Sequence, residues 1–142
     1  MALDVQVTFD ATDPQRLSEF WALVLDYEVW NPHDGREPWE VFGVDLGPSR
    51  THRDTWSAVV DPEGRGPRVL FRKVAESKTT EGRVHLNVDV SGHGKGTEGW
   101  RKVRDKADAL VAAGGTVVRE VDEPLGRCLV MRDPEGNEFC LR

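Results

Sequence analysis

The sequence predicts an α+β protein made of two tandem βαβββ modules, the first over about residues 1–75 and the second over about 83–142. Two observations predict this. An alternating strand followed by an amphipathic helix occurs twice, at Val5-Gln6-Val7-Thr8-Phe9-Asp10 and at Val84-His85-Leu86-Asn87-Val88-Asp89. The tetrapeptide Asp-Pro-Glu-Gly also occurs twice, at 61–64 and 133–136, each time between two strands late in its half. A turn tetrapeptide alone recurs by coincidence; recurrence in step with a matching strand and helix marks an internal repeat.

The elements follow in order. Val5, Val7 and Phe9 alternate with Gln6, Thr8 and Asp10, the period of a half-buried strand. Thr12-Asp13-Pro14 pairs an N-cap residue with proline at the first helical position. Leu17, Phe20, Trp21 and Val24 form one apolar helix face, and the helix is expected to end near Asp26. Tyr27 to Trp30 reads as a short strand. Residues 31–53, rich in Pro and Gly, read as a long irregular connection with at most a short strand around Trp39 to Val44; a loop this long inside a small protein is often functional. Thr55 to Val60 and Arg68 to Val74 read as strands joined by the first Asp-Pro-Glu-Gly turn, where proline presets φ and glycine accepts positive φ. Residues 76–82 are a polar connector.

In the second half, Val84 to Val90 alternates again. A helix follows, with Trp100, Val103, Ala107, Leu110 and Val111 on one face and Gly114-Gly115 as its stop. Thr116 to Val121, Arg127 to Arg132 and Glu138 to Leu141 read as strands, the last two joined by the second turn. In each module the helix covers one sheet face and buries Val5, Val7 and Phe9, or Val84, Leu86 and Val88. The other face carries Gln6, Thr8, His85, Asn87, Glu138 and Cys140. From pattern alone that face either lines a cup or meets solvent, as one face of an antiparallel sheet often does.

Composition bounds the function. The chain has 142 residues, the size of one ordinary domain. A chain of this length buries roughly two thirds of its unfolded surface and folds without a disulfide or metal. Apolar residues make up 38% and charged residues 31%, as in soluble globular proteins. No apolar run is long enough to span a bilayer. The net charge is −6, and the best basic cluster, Arg101, Lys102, Arg104 and Lys106, is interrupted by Glu98, Asp105 and Asp108. That is a solvated helix face, so nucleic acid is excluded as a partner. The N-terminus lacks a basic region followed by an apolar run, so the expected location is the cytoplasm. Cys128 and Cys140, on strands flanking one turn, read there as reduced neighbouring thiols.

The sequence resembles the glyoxalase-like proteins of the vicinal oxygen chelate superfamily over nearly its whole length. The resemblance is carried by Thr12-Asp13-Pro14-Gln15-Arg16-Leu17-Ser18-Glu19-Phe20-Trp21, by the stretch from Asp61 to Phe71, by Val84-His85-Leu86-Asn87-Val88, and by the ending Asp133-Pro134-Glu135-Gly136-Asn137-Glu138-Phe139-Cys140-Leu141. It implies a single domain over 1–142 in which paired modules form a U-shaped, cleft-bearing mixed sheet with a helix on the outer face of each. It also implies a small-molecule ligand, and either a homodimer, as relatives often form, or a monomer where the two halves form the cleft within one chain.

Members with metal-dependent chemistry hold a divalent ion with His, Glu or Gln from paired strand positions. Carried over by position, these fall on Gln6 in the first strand, His85 as its duplicate and Cys140 in the last strand; the first-half counterpart of Cys140 falls near Leu70. The set departs from the family pattern, because Leu70 has no donor and a Cys140 thiolate suits a softer ion. No firm metal is therefore expected. His85, a residue type whose unperturbed pKa lies near neutrality, is a candidate catalytic base, a ligand-binding donor or a satisfied polar residue. The remaining ligand-binding candidates are Gln6, Thr8, Trp56, Arg72, Asn87, Glu138 and Cys140. Trp56 reads equally as core or cleft wall, with Trp30 and Trp39 beside it, and Arg72 as an anion contact or an exposed edge charge. His33, His52 and His93 read as surface residues. Gly92-His93-Gly94-Lys95-Gly96-Thr97 lacks phosphate-loop spacing. The resulting expectation is a cleft that binds a small, partly apolar molecule. The alternatives are a metal-dependent lyase, isomerase or dioxygenase, and a drug-sequestering protein of the bleomycin-resistance type.

Overall fold

Asp13 opens the first helix by accepting a hydrogen bond from the Arg16 backbone N–H at 3.1 Å. Pro14 follows at a position where no helical donor is lost. In the computed structural model, which describes residues 5–31, 54–74, 84, 86–92, 96–123 and 126–142, this helix, α1, is Pro14–Leu25. It buries Pro14, Leu17, Ser18, Phe20, Trp21 and Val24. Asp26 stops it in the left-handed region at φ 55°. That conformation is one that the short polar side chain of Asp tolerates. The strand expected at 39–44, the connector at 76–82, His33, His52, His93 and His85 lie outside the described residues.

The chain divides into two compact units, Met1–Ser77 and Lys78–Arg142. In the first, β1 (Gln6–Ala11), β2 (Glu28–Val29), β3 (Trp56–Val60) and β4 (Arg68–Lys73) form a sheet in the order β1-β4-β3-β2. β1 runs parallel to β4, and the other pairs are antiparallel. In the second unit, β5 (Leu86–Val88), β6 (Thr116–Glu123), β7 (Gly126–Arg132) and β8 (Glu138–Leu141) repeat that topology in the order β5-β8-β7-β6. Each unit thus is a βαβββ module, with α2 (Thr97–Ala112) in the place of α1. None of the helices is long and apolar enough to cross a membrane, among the described residues.

The α1 side of the first sheet is an aromatic layer. Phe9 meets Trp21 edge-on with ring centroids 5.0 Å apart and meets Phe71 at 5.3 Å. Each such pair contributes about 0.5–1.5 kcal/mol beyond area burial. Ser18 and Ser57 form a polar pair in this layer, with hydroxyl oxygens 2.7 Å apart. Ser18 donates to the Gln15 carbonyl at 2.7 Å, so Ser57 is the donor between the two hydroxyls.

In the second module α2 buries Gly99, Val103, Ala107 and Leu110, and Gly114 follows it at φ 105°. Two expectations about its face change. Val111 is exposed, because it lies about 100° around the helix from Leu110. Trp100 is half-buried under charge instead of in the core: the Arg127 guanidinium lies 3.8 Å from its ring centroid and that of Arg104 lies 5.6 Å away. Glu120 fixes both arginines, accepting from Arg127 Nε at 2.7 Å and Arg104 Nη2 at 3.0 Å. Val5 and Val84 are exposed ahead of their strands, so neither joins the buried set. The two later strands of this module are longer than expected, reaching Glu123 and starting at Gly126.

Candidate functional site

Because side chains alternate along a strand, contact with α1 identifies both faces of the first sheet. Phe9, Ser57 and Phe71 touch or flank α1, so Gln6, Thr8, Trp56, Ala58, Leu70 and Arg72 lie on the opposite face. That face is not a polar one. Trp30, Trp56, Ala58 and Leu70 form a buried cluster there, with Val60 packed against it. The two indole rings lie 5.2 Å apart and tilted by 36°. The centre of this sheet is therefore apolar on both sides.

Polar groups border the cluster. Gln6 is half-buried, and its Oε1 is buried with no hydrogen-bond partner among the described residues. Thr8, paired with Leu70 across the β1–β4 ladder, is exposed. Arg72 is exposed and ion-paired with Asp10 at 3.0 Å.

The ladders of the two modules can be overlaid. Leu70 pairs with Thr8 on one side and Ala58 on the other. Cys140 pairs with Asn87 and Val130. Leu70 and Cys140 thus hold equivalent places, as do Thr8 and Asn87, and Ala58 and Val130. The α2 side of the second sheet is marked by Glu120 and Arg127, which meet Arg104 and Trp100 of that helix. Leu129 pairs with Glu120, so Cys128, Val130, Glu138 and Cys140 fall on the face opposite α2. Asn87 is exposed there, and Glu138 is ion-paired with Arg132 at 3.2 Å. Cys140 is 6% exposed. Its thiol is pushed up to about 11, first by burial and then by the Cys128 thiol that hydrogen-bonds to it; Arg119 pulls the other way and Glu138 adds to the rise.

The divalent ion that the resemblance raises for metal-dependent members does not fit the described donors. Leu70 offers no ligand atom, and the Cys140 sulfur is a donor that suits a softer ion. Among the described residues, no group of three or more His, Cys, Asp or Glu side chains could hold a metal ion. Of the candidates named from sequence, Gln6, Thr8, Trp56 and Arg72 thus share one face of the first module, and Asn87, Glu138 and Cys140 one face of the second. Sequence reasoning missed Ala58 and Leu70 as part of an apolar floor. The signal for it was the run Val69-Leu70-Phe71, which has no polar alternation and marks a strand buried on both faces.

The family model described as a glyoxalase-like domain matches residues 6–142. Among curated proteins none matches. A solved structure of a member of the glyoxalase/bleomycin resistance protein/dioxygenase superfamily from Sphaerobacter thermophilus is 19% identical with TM-score 0.61, covering 99% of this chain and 96% of that one. TioX from Micromonospora sp. ML1 is 21% identical with TM-score 0.54, covering 99% and 97%. A mutant of the fosfomycin resistance protein FosX from Listeria monocytogenes, complexed with Mn(II) and dihydroxypropylphosphonic acid, is 13% identical with TM-score 0.63, covering 100% and 90%. At these identities the structural likeness establishes the fold, which is the paired βαβββ architecture, and the family model establishes membership. The chain belongs to the glyoxalase-like domain family.

Proposed function

We propose that this protein binds a small, partly apolar molecule at the face of the first sheet opposite α1, without a metal-dependent reaction. One observation carries the reading: a buried amide oxygen, Gln6 Oε1, without a partner among the described residues, on the face that holds the cluster of Trp30, Trp56, Ala58 and Leu70. Small-molecule sites are built this way, with apolar and aromatic walls and a few convergent polar atoms. The unmatched acceptor selects a ligand with an N–H or O–H donor near its apolar body. The FosX mutant complexed with Mn(II) and dihydroxypropylphosphonic acid is similar in fold at 13% identity. The homodimer and cytoplasmic location expected from sequence belong to this reading; sedimentation checks the first and fractionation of the source cells the second.

The test combines a thermal-shift screen of aromatic and polyketide-like compounds with the variant Gln6→Leu. Removing an unmatched buried acceptor stabilises the free protein by about 1 kcal/mol, and loss of one hydrogen bond weakens a donor-bearing hit by about tenfold. A screen without hits sinks the reading, as does a Gln6→Leu variant that binds hits as tightly as the parent. Hits that appear only after Mn(II) or Zn(II) is added favour the metal-dependent alternative.

A further inference from the structure

Cys128 and Cys140 lie on adjacent antiparallel strands, β7 and β8, joined by the second Asp-Pro-Glu-Gly turn. Cys140 faces Val130 across the ladder, and Cys128, two residues before Val130, shares its face. The two cysteines are therefore diagonal neighbours. Such neighbours have Cα atoms about 7–8 Å apart and Cβ atoms somewhat closer. That span exceeds the usual disulfide range, so closing it requires the backbone to shift along the paired strands, and the strain makes the bond easy to reduce. The two side chains project from the same face of these adjacent strands. Both are free, Cys128 half-buried and Cys140 buried.

We propose that Cys128 and Cys140 form a reversible dithiol–disulfide pair on the face opposite α2. The oxidant is a low-molecular-weight disulfide. The half-buried Cys128 sulfur, as thiolate, attacks one sulfur of it, forming a mixed disulfide and releasing one thiol. The Cys140 sulfur, after losing its proton to solvent, then attacks the Cys128 sulfur and expels the second thiol. Two protein thiols are oxidised to one disulfide, and the small disulfide is reduced to two thiols. The order follows from access: Cys140 is too buried to meet the oxidant first. Bonded, the sulfurs lock β7 to β8 and remove the Cys140 thiol from the place equivalent to Leu70. The inference rests on the strand ladder alone and does not depend on the ligand reading.

Purified protein is incubated with oxidised glutathione, then assayed for free thiols after denaturation and for intact mass. The expected result is loss of both thiols with a mass lower by two hydrogens and no glutathione adduct, reversed by dithiothreitol. In Cys140→Ser the mixed disulfide on Cys128 has no resolving thiol and accumulates as one adduct. In Cys128→Ser the buried Cys140 stays free. Retention of both thiols in the parent protein overturns the proposal. So does a parent protein that stops at a glutathione adduct, or whose disulfide joins two chains on a non-reducing gel.

Discussion

Asp133→Ala is expected to cost far more stability than Asp61→Ala, although each residue begins the same tetrapeptide. Asp133 is 3% exposed. Its Oδ1 accepts from the backbone N–H groups of Glu135 and Asn137, both at 2.9 Å, and its Oδ2 from Asn137 Nδ2 at 2.7 Å. Asp61 accepts in the same way from the N–H groups of Glu63, Arg65 and Gly66 at 2.8, 2.9 and 2.8 Å, but in a more open place. A hydrogen bond to a charged group contributes about 1.5–3 kcal/mol, and a buried donor left unmatched costs about 1–3 kcal/mol. Bonds that share one carboxylate do not add, so Asp133→Ala is expected to lose about 3–4 kcal/mol. Water replaces the carboxylate at Asp61, where the loss is about 1 kcal/mol. Asp133→Asn keeps the Oδ1 acceptor but sets an amide N–H against Asn137 Nδ2, for a loss of about 2 kcal/mol. Urea unfolding followed by tryptophan fluorescence and by circular dichroism measures all three. An Asp61→Ala loss equal to or larger than that of Asp133→Ala refutes the argument that burial, not bond count, sets the value of this turn.

The Ser18–Ser57 pair makes a directional prediction. Ser18→Ala strands the buried Ser57 donor and costs about 1–3 kcal/mol, Ser57→Ala costs less, and the double variant costs less than the sum, all read from urea midpoints. Arg127→Ala uncovers Trp100 and is expected to cost about 1 kcal/mol, with a red shift in Trp100 emission; Arg127→Lys keeps the charge but loses the stacked plane and recovers only part of it. The buried Cys140 thiol makes stability fall with pH. Its value of about 11 lies above its ordinary 9.0, so the unfolded chain releases this proton first. The stabilisation is complete below about pH 9 and is lost as pH rises toward 11; in Cys140→Ala that part of the slope disappears from denaturation curves taken across this range.

The parts of the fold that were legible in the sequence are those set by local chemistry. Asp13-Pro14 opens α1, the alternation of Gln6 to Asp10 makes β1, and the repeated Asp-Pro-Glu-Gly places both late hairpins. Strand ends were less legible: Val5 and Val84 continue the alternation yet stand outside the ladders, because pairing and not pattern decides where a strand starts. Trp100 was misplaced for a related reason. A tryptophan in step with a helix's apolar positions reads as core, but Arg127 and Arg104, which cover it, are remote or exposed in sequence terms and reveal themselves only through Glu120. The candidate site was half legible. Alternation placed Gln6 and Thr8 on the face away from α1, whereas the apolar floor at Ala58 and Leu70 needed the ladder that brings β3 beside β4.

The same ladders explain why the two modules match on one face and differ on the other. On the helix side, Phe9, Val59, Val69 and Phe71 correspond to Val88, Met131, Phe139 and Leu141. Size is traded among these positions but every member is apolar, because a helix covers each one and an unmatched polar group there costs several kcal/mol. Ser57 is the polar exception in the first module, and Ser18 supplies its partner. On the opposite face no helix imposes that condition. There Thr8, Ala58 and Leu70 stand against Asn87, Val130 and Cys140, and chemistry changes along with size. A duplicated scaffold of this kind keeps its stability on the helix side and leaves the other face free to acquire different ligands or different redox behaviour. The Gln6 oxygen, without a partner among the described residues, and the thiol pair lie on the faces opposite the helices, beside buried side chains such as Leu70 and Val130.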